Sequence, residues 1–94
     1  MKNKFELGQI FQTAGILAAR RTNENLNAEL NAAFAKYITC NWGDTCDGDK
    51  TLNDEAIKNN SGRIVAKYKT SCGNVFIITE ADRSATTILF ADEY

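Results

Sequence analysis

Arg63–Tyr94 reads RIVAKYKTSCGNVFIITEADRSATTILFADEY. Three apolar runs rich in β-branched residues, Ile64–Thr70, Val75–Glu80 and Thr86–Phe90, are separated by turn-forming residues. Short alternating runs punctuated in this way predict a small antiparallel sheet. The first two runs form a hairpin around Ser71-Cys72-Gly73-Asn74, and Ala81–Ala85 turns the chain into the third.

Upstream of Arg63 the apolar period lengthens to that of a helix. Leu26, Leu30, Ala33, Phe34, Tyr37 and Ile38 make a one-sided stripe, with Asn23 or Asn25 available as the cap. Leu30, Phe34 and Tyr37 are expected to pack on Ile64, Ala66, Ile77 and Ile88. Before this helix, Thr13 caps a shorter one over Ala14–Arg21, whose Arg20 and Arg21 suit the negative end of the helix dipole. Phe5–Phe11 alternates loosely and holds Gly8, which predicts a short strand at a sheet edge. Cys40–Lys50 is a loop. Asp49 or Thr51 opens a third helix that turns Leu52, Ala56 and Ile57 inward and stops at Asn59-Asn60-Ser61-Gly62. The order is β-α-α-α-β-β-β. Strands grouped after helices predict an α+β domain with a three- or four-stranded, mostly antiparallel sheet and helices packed on one face.

The chain has 94 residues, enough for one domain, residues 1–94, with a single modest core. A hydrophobic fraction of 44% against 24% charged residues supports a folded chain rather than a disordered one. A formal net charge of −1 argues against a nonspecific nucleic-acid binder. No apolar run approaches the roughly 20 residues of a membrane span. The start, MKNKFELGQIFQ, has no continuous apolar core of a leader, and three cysteines are an odd number for a disulfide framework. These features predict a cytoplasmic protein.

Histidine is absent, which removes the commonest general base and the commonest zinc ligand. Cys40, Cys46 and Cys72, with Asp44 or Asp47, do not match a standard zinc spacing, so they read as free thiols, with a Cys40–Cys46 disulfide open under oxidation. No metal or other cofactor is expected. Asp44–Glu55 starts and ends like a calcium loop, but Cys46 and Gly48 occupy ligand positions and Asp49 replaces the central glycine. It reads instead as an acidic loop capping a helix N-terminus. Asp82, Arg83 and Ser84 read as a tight turn, with Arg83 expected on a carboxylate from Asp54, Glu55, Glu80, Asp82 or Glu93. The competing reading is a ligand or catalytic site in which Ser84 is a nucleophile and Arg83 an anion anchor, but no histidine is present to activate the serine. Trp42 reads either as a plug at the end of the core or as an interface anchor.

The segments FELGQI, Thr13-Ala14-Gly15, Asn41-Trp42-Gly43-Asp44 and IITEADRSATTILFADEY together resemble a family of small bacterial proteins described as plasmid-related and found on mobile elements. The resemblance covers nearly the whole chain in order and is densest over Phe76–Tyr94. It implies an accessory role on such elements: interference with host defence, toxin–antitoxin chemistry or plasmid maintenance. By analogy with anti-CRISPR proteins of this size, the leading expectation is a non-enzymatic inhibitor of a host CRISPR or restriction component. Its partner-binding residues would be Trp42, Asp44, Asp47, Asp49, Asp54 and Glu55, with Asp92 and Glu93 joining the negative face. The alternatives are a small enzyme or toxin built on Asp82-Arg83-Ser84, and a nucleic-acid-binding plasmid factor using Lys2, Lys4, Arg20 and Arg21.

Overall fold

The alternating runs pair as a four-stranded sheet in the computed structural model, which describes residues 4–94. The strands are β1 (Gln9–Gln12), β2 (Ile64–Thr70), β3 (Gly73–Thr79) and β4 (Ala85–Phe90), and the helices are α1 (Ala14–Thr22), α2 (Glu24–Ile38) and α3 (Asp47–Asn59). The order β-α-α-α-β-β-β of an α+β domain is the observed one. In space the strands run β1-β4-β3-β2. β2–β3 and β3–β4 are antiparallel, and β1 adds parallel to β4, so the sheet is mixed. Among the described residues, no helix is long and apolar enough to cross a membrane.

Several boundaries differ from expectation for local reasons. The edge strand begins at Gln9 rather than Phe5, because Gly8 takes φ +65° and turns the chain. A Cβ at that position would collide with the Ser84 backbone, so the close approach selects glycine. The hairpin loop is only Ser71-Cys72, since Thr70 pairs with Gly73. Glu80 falls outside β3, and β4 starts one residue early, at Ala85. α3 starts at Asp47, ahead of Asp49 and Thr51.

The caps explain the helix starts. The Thr13 hydroxyl accepts from the Ile16 N–H, and the Asn23 amide oxygen accepts from the Leu26 N–H. α3 ends on Asn60 in the left-handed region, at φ 49°.

The core lies between α1, α2 and one face of the sheet. Ile16, Leu26, Leu30 and Tyr37 meet Ile64, Ala66, Val75, Ile77 and Ile88 there. Phe34 was expected among them, but it is only half-buried at the rim. A chain of hydroxyls crosses this core. The Tyr37 hydroxyl lies 2.6 Å from the Thr79 hydroxyl, which lies 2.8 Å from that of Thr86, and Thr86 donates to the Leu7 carbonyl at 2.7 Å. Only one direction uses each proton once along this chain: Tyr37 to Thr79 to Thr86 to Leu7. It ties α2 to the segment before β1 through two strands.

On the opposite face, the Phe76 and Tyr94 rings meet tilted, with centroids 5.3 Å apart, and the Tyr94 hydroxyl accepts from Arg63 at 3.4 Å. A 3-10 turn, Ala91–Glu93, brings Tyr94 there.

Candidate functional site

The acidic segment after Trp42 folds against the free edge of β2. In β2 the backbone groups of Val65, Lys67 and Lys69 point away from β3 and would be left without partners. Each finds one in the Asp44–Asn53 region. The Asn53 side chain accepts from the Val65 N–H at 3.1 Å and donates to the Val65 carbonyl at 2.9 Å. The Thr45 hydroxyl accepts from the Lys67 N–H, and the Asp44 N–H donates to the Lys67 carbonyl. The Asp44 carboxylate accepts from the Lys69 N–H at 2.9 Å. An edge strand sealed in this way cannot template pairing with another chain.

This arrangement divides the expected partner-binding residues. Trp42 is 4% exposed and takes the first of its two readings, the plug at the end of the core: its ring lies 5.6 Å from Tyr37 and 6.1 Å from Phe5, and its Nε1 donates to Asp54 at 2.9 Å. Asp54 is therefore the anchor of Trp42, and Asp44 the anchor of Lys69, rather than free contact groups. Glu93 is also taken up, accepting from the Thr13 hydroxyl and the Phe90 N–H. Asp47, Asp49 and Glu55 remain exposed with no hydrogen bond from their side chains among the described residues. Asp47 and Asp49 occupy the first turn of α3, where the helix dipole favours carboxylates. The calcium-like spacing is not a loop, since helix runs through it from Asp47 onward.

Leu52 was expected to face inward. It is 60% exposed, and Asn53 points in instead, because α3 lies along a strand edge whose polar backbone needs an amide. Three residues to either side of Leu52, on the same helical face, stand Asp49 and Glu55. The result is an apolar side chain flanked by two free carboxylates. Periodicity missed it because Leu52 was assigned to the buried stripe.

At the other candidate site, Asp82-Arg83-Ser84 forms a tight turn. The Asp82 carboxylate accepts from the Ser84 N–H at 3.0 Å, and hydrogen bonding to Ser84, through its side chain first and its backbone second, holds the Asp82 pKa below the ordinary carboxylate range. Arg83 takes φ 61° and is 8% exposed. Among the described residues no carboxylate binds it, which corrects the expected ion pair. Its guanidinium donates to the carbonyls of Ala56, Gly62, Glu80 and Ala81 at 2.8–3.2 Å. Ala56 lies in the last turn of α3, so the cation sits at the negative end of that helix. Arg83 welds this turn to the end of α3 through its Nη1 and Nη2.

Among the described residues, no group of three His, Cys, Asp or Glu is placed to hold a metal ion. The three cysteines are free thiols. Cys40 is half-buried, and burial pushes its pKa up. Of the basic residues, Lys2 lies outside the described part and Lys4 and Arg21 are exposed. Arg20 is held by neutral side chains: its Nε donates to Gln12 at 2.6 Å, and its Nη1 donates to Asn27 and Asn31 at 2.8 and 2.9 Å.

No family model, no curated protein and no solved structure matches the chain.

Proposed function

We propose that this protein is a non-enzymatic accessory factor of a mobile element that acts in the cytoplasm by binding and inhibiting a host defence protein, a CRISPR or restriction component. The outward face of α3 makes the contact. The observation that carries this reading is Leu52, 60% exposed and flanked by Asp49 and Glu55. An apolar anchor within a charged rim is the composition of a protein-binding patch, and the carboxylates suit a basic groove. The resemblance to plasmid-related proteins supports the setting. The enzyme reading loses support because Arg83 is 8% exposed and its Nη1 and Nη2 donate to backbone carbonyls. The nucleic-acid reading has the formal net charge of −1 against it.

The test is phage or plasmid survival in cells with active CRISPR or restriction systems, with and without this gene. The expected result is protection by the natural chain. Protection should be lost in a variant carrying Asp49→Lys, Leu52→Lys and Glu55→Lys. Asp54 is kept, since reversing it would unseat Trp42. Equal survival with and without the gene across all systems overturns the inhibitor reading. Undiminished protection by the folded triple variant overturns the α3 surface.

A further inference from the structure

β1 leaves one side of its backbone open. The Gln9 N–H donates to the Ser84 carbonyl and the Thr13 N–H to the Ile88 carbonyl, so the odd-numbered residues face β4. Ile10 and Gln12 therefore aim their N–H and C=O groups away from the sheet, and no group among the described residues bonds them. Unlike β2, this edge is unsealed. Ile10 and Phe11 are 46% and 49% exposed, which is high for apolar side chains on a strand.

A cavity of about 210 Å3 opens beside this edge, lined by Ile10, Gln12, Arg20, Asn31, Phe34 and Ile88. It is smaller than the roughly 300–1,000 Å3 typical of whole-ligand pockets, and fits a single aliphatic side chain better. Arg20 stands at its polar end. The three amide oxygens of Gln12, Asn27 and Asn31 fix its guanidinium without neutralising it, and its Nη2 donates to no acceptor among the described residues. The ion pair among the described residues is Arg63–Glu80, so Arg20 has no carboxylate there. A positioned cation without a counter-charge, next to an apolar cavity and an open strand edge, is complementary to one kind of chain end.

We infer that this cleft captures the C-terminal tail of a partner protein that ends in an aliphatic residue. The tail adds to β1 as a parallel strand and bonds the free groups of Ile10 and Gln12. Its last side chain enters the cavity against Ile10, Phe34 and Ile88. Its terminal carboxylate reaches Arg20, because Gln12, which Arg20 binds, is the last residue of β1. The site shares no residue with the α3 face and does not depend on the inhibitor reading.

The test is an NMR titration of the isotopically labelled protein with the pentapeptide Thr-Val-Thr-Ile-Val bearing a free C-terminus. Shifts are expected at the Ile10, Gln12 and Phe34 amides and at the Arg20 Nε–H. The same peptide as a C-terminal amide should bind about tenfold or more weakly, because a charge-assisted hydrogen bond is lost. Arg20→Gln should remove the preference for acid over amide, and the acid–amide comparison on the unaltered protein stands even if that variant does not fold. Equal binding of acid and amide overturns the proposal, as does the absence of shifts at millimolar peptide. Isovalerate alone reproducing the peptide's shifts would make this a small-acid site and overturn strand addition. A peptide-free dimer that protects the Ile10 and Gln12 amides would assign the edge to a second copy and overturn it too.

Discussion

The Arg83 guanidinium holds four carbonyl oxygens drawn from the end of α3, the loop after it and the β3–β4 turn. Each is a charge-assisted bond in a partly or fully buried place, where it is worth more than a neutral one on the surface. Lysine keeps the charge but has a single nitrogen, which cannot span carbonyls on two sides. Arg83→Lys is therefore expected to lower stability by about 2 kcal/mol or more. Urea unfolding checks this, and an unchanged midpoint would show that the four contacts contribute little. Both the turn chemistry at Asp82 and the structural character of Arg83 were legible in the sequence. The partner was not, since Ala56 and Arg83 are 27 positions apart and only the fold brings them together.

At the scale of elements, α2 and α3 illustrate two ways in which a helix meets a sheet. α2 lies across a sheet face, and its stripe is apolar: Leu26, Leu30, Ala33 and Tyr37 are buried. α3 lies along a strand edge, so its buried positions are Asn53 and Ala56, and Leu52 is released to solvent. The stripe of α2 is graded as well. Leu30 is in the centre, whereas Phe34 borders the cavity beside β1. Leu30→Ala should cost about 2–5 kcal/mol, the range for emptying a packed site. Phe34→Ala should cost less than Leu30→Ala because its ring is partly solvated already. Thermal or urea unfolding of the two variants gives the ranking, and a larger loss for Phe34→Ala would overturn this view of the core.

Across the whole molecule, burial couples folding to alkaline pH. Tyr37 and Tyr68 are both buried, and desolvation raises their phenol pKa values well above the ordinary 10.0. Tyr37 is also the first donor of the hydroxyl chain through Thr79 and Thr86, and Tyr68 donates to the Asn41 carbonyl at 2.7 Å. The sign follows from linkage. With a folded pKa above the unfolded one, the folded state keeps its proton more tightly, so the contribution is fully present below pH 10 and is lost as pH rises beyond it. Tyrosinate absorbance from these two residues should therefore appear together with unfolding, as followed by circular dichroism. Replacing Tyr68 by Phe should remove its share of the signal. Ionisation of both phenols in a chain that retains its native circular dichroism would contradict the buried network.

Order and type of the elements were determined by the sequence alone, because the signals involved are short-range. Alternation over Ile64–Phe90, the stripe from Leu26 to Tyr37, the caps at Thr13 and Asn23 and the stop at Asn60 each act within a few residues. Tertiary structure decided which groups remain free. Five carboxylates between Asp44 and Glu55 look alike in the sequence, yet Asp44 is bound by Lys69, 25 positions away, and Asp54 by Trp42, 12 positions away. Likewise, Arg20 and Arg21 are adjacent in the chain, but only Arg20 meets Gln12, Asn27 and Asn31 beside an open strand. Local pattern sets which way a backbone folds. Whether a charged side chain is spent on a buried polar group or left for a ligand depends on which distant segments the packed core brings against it.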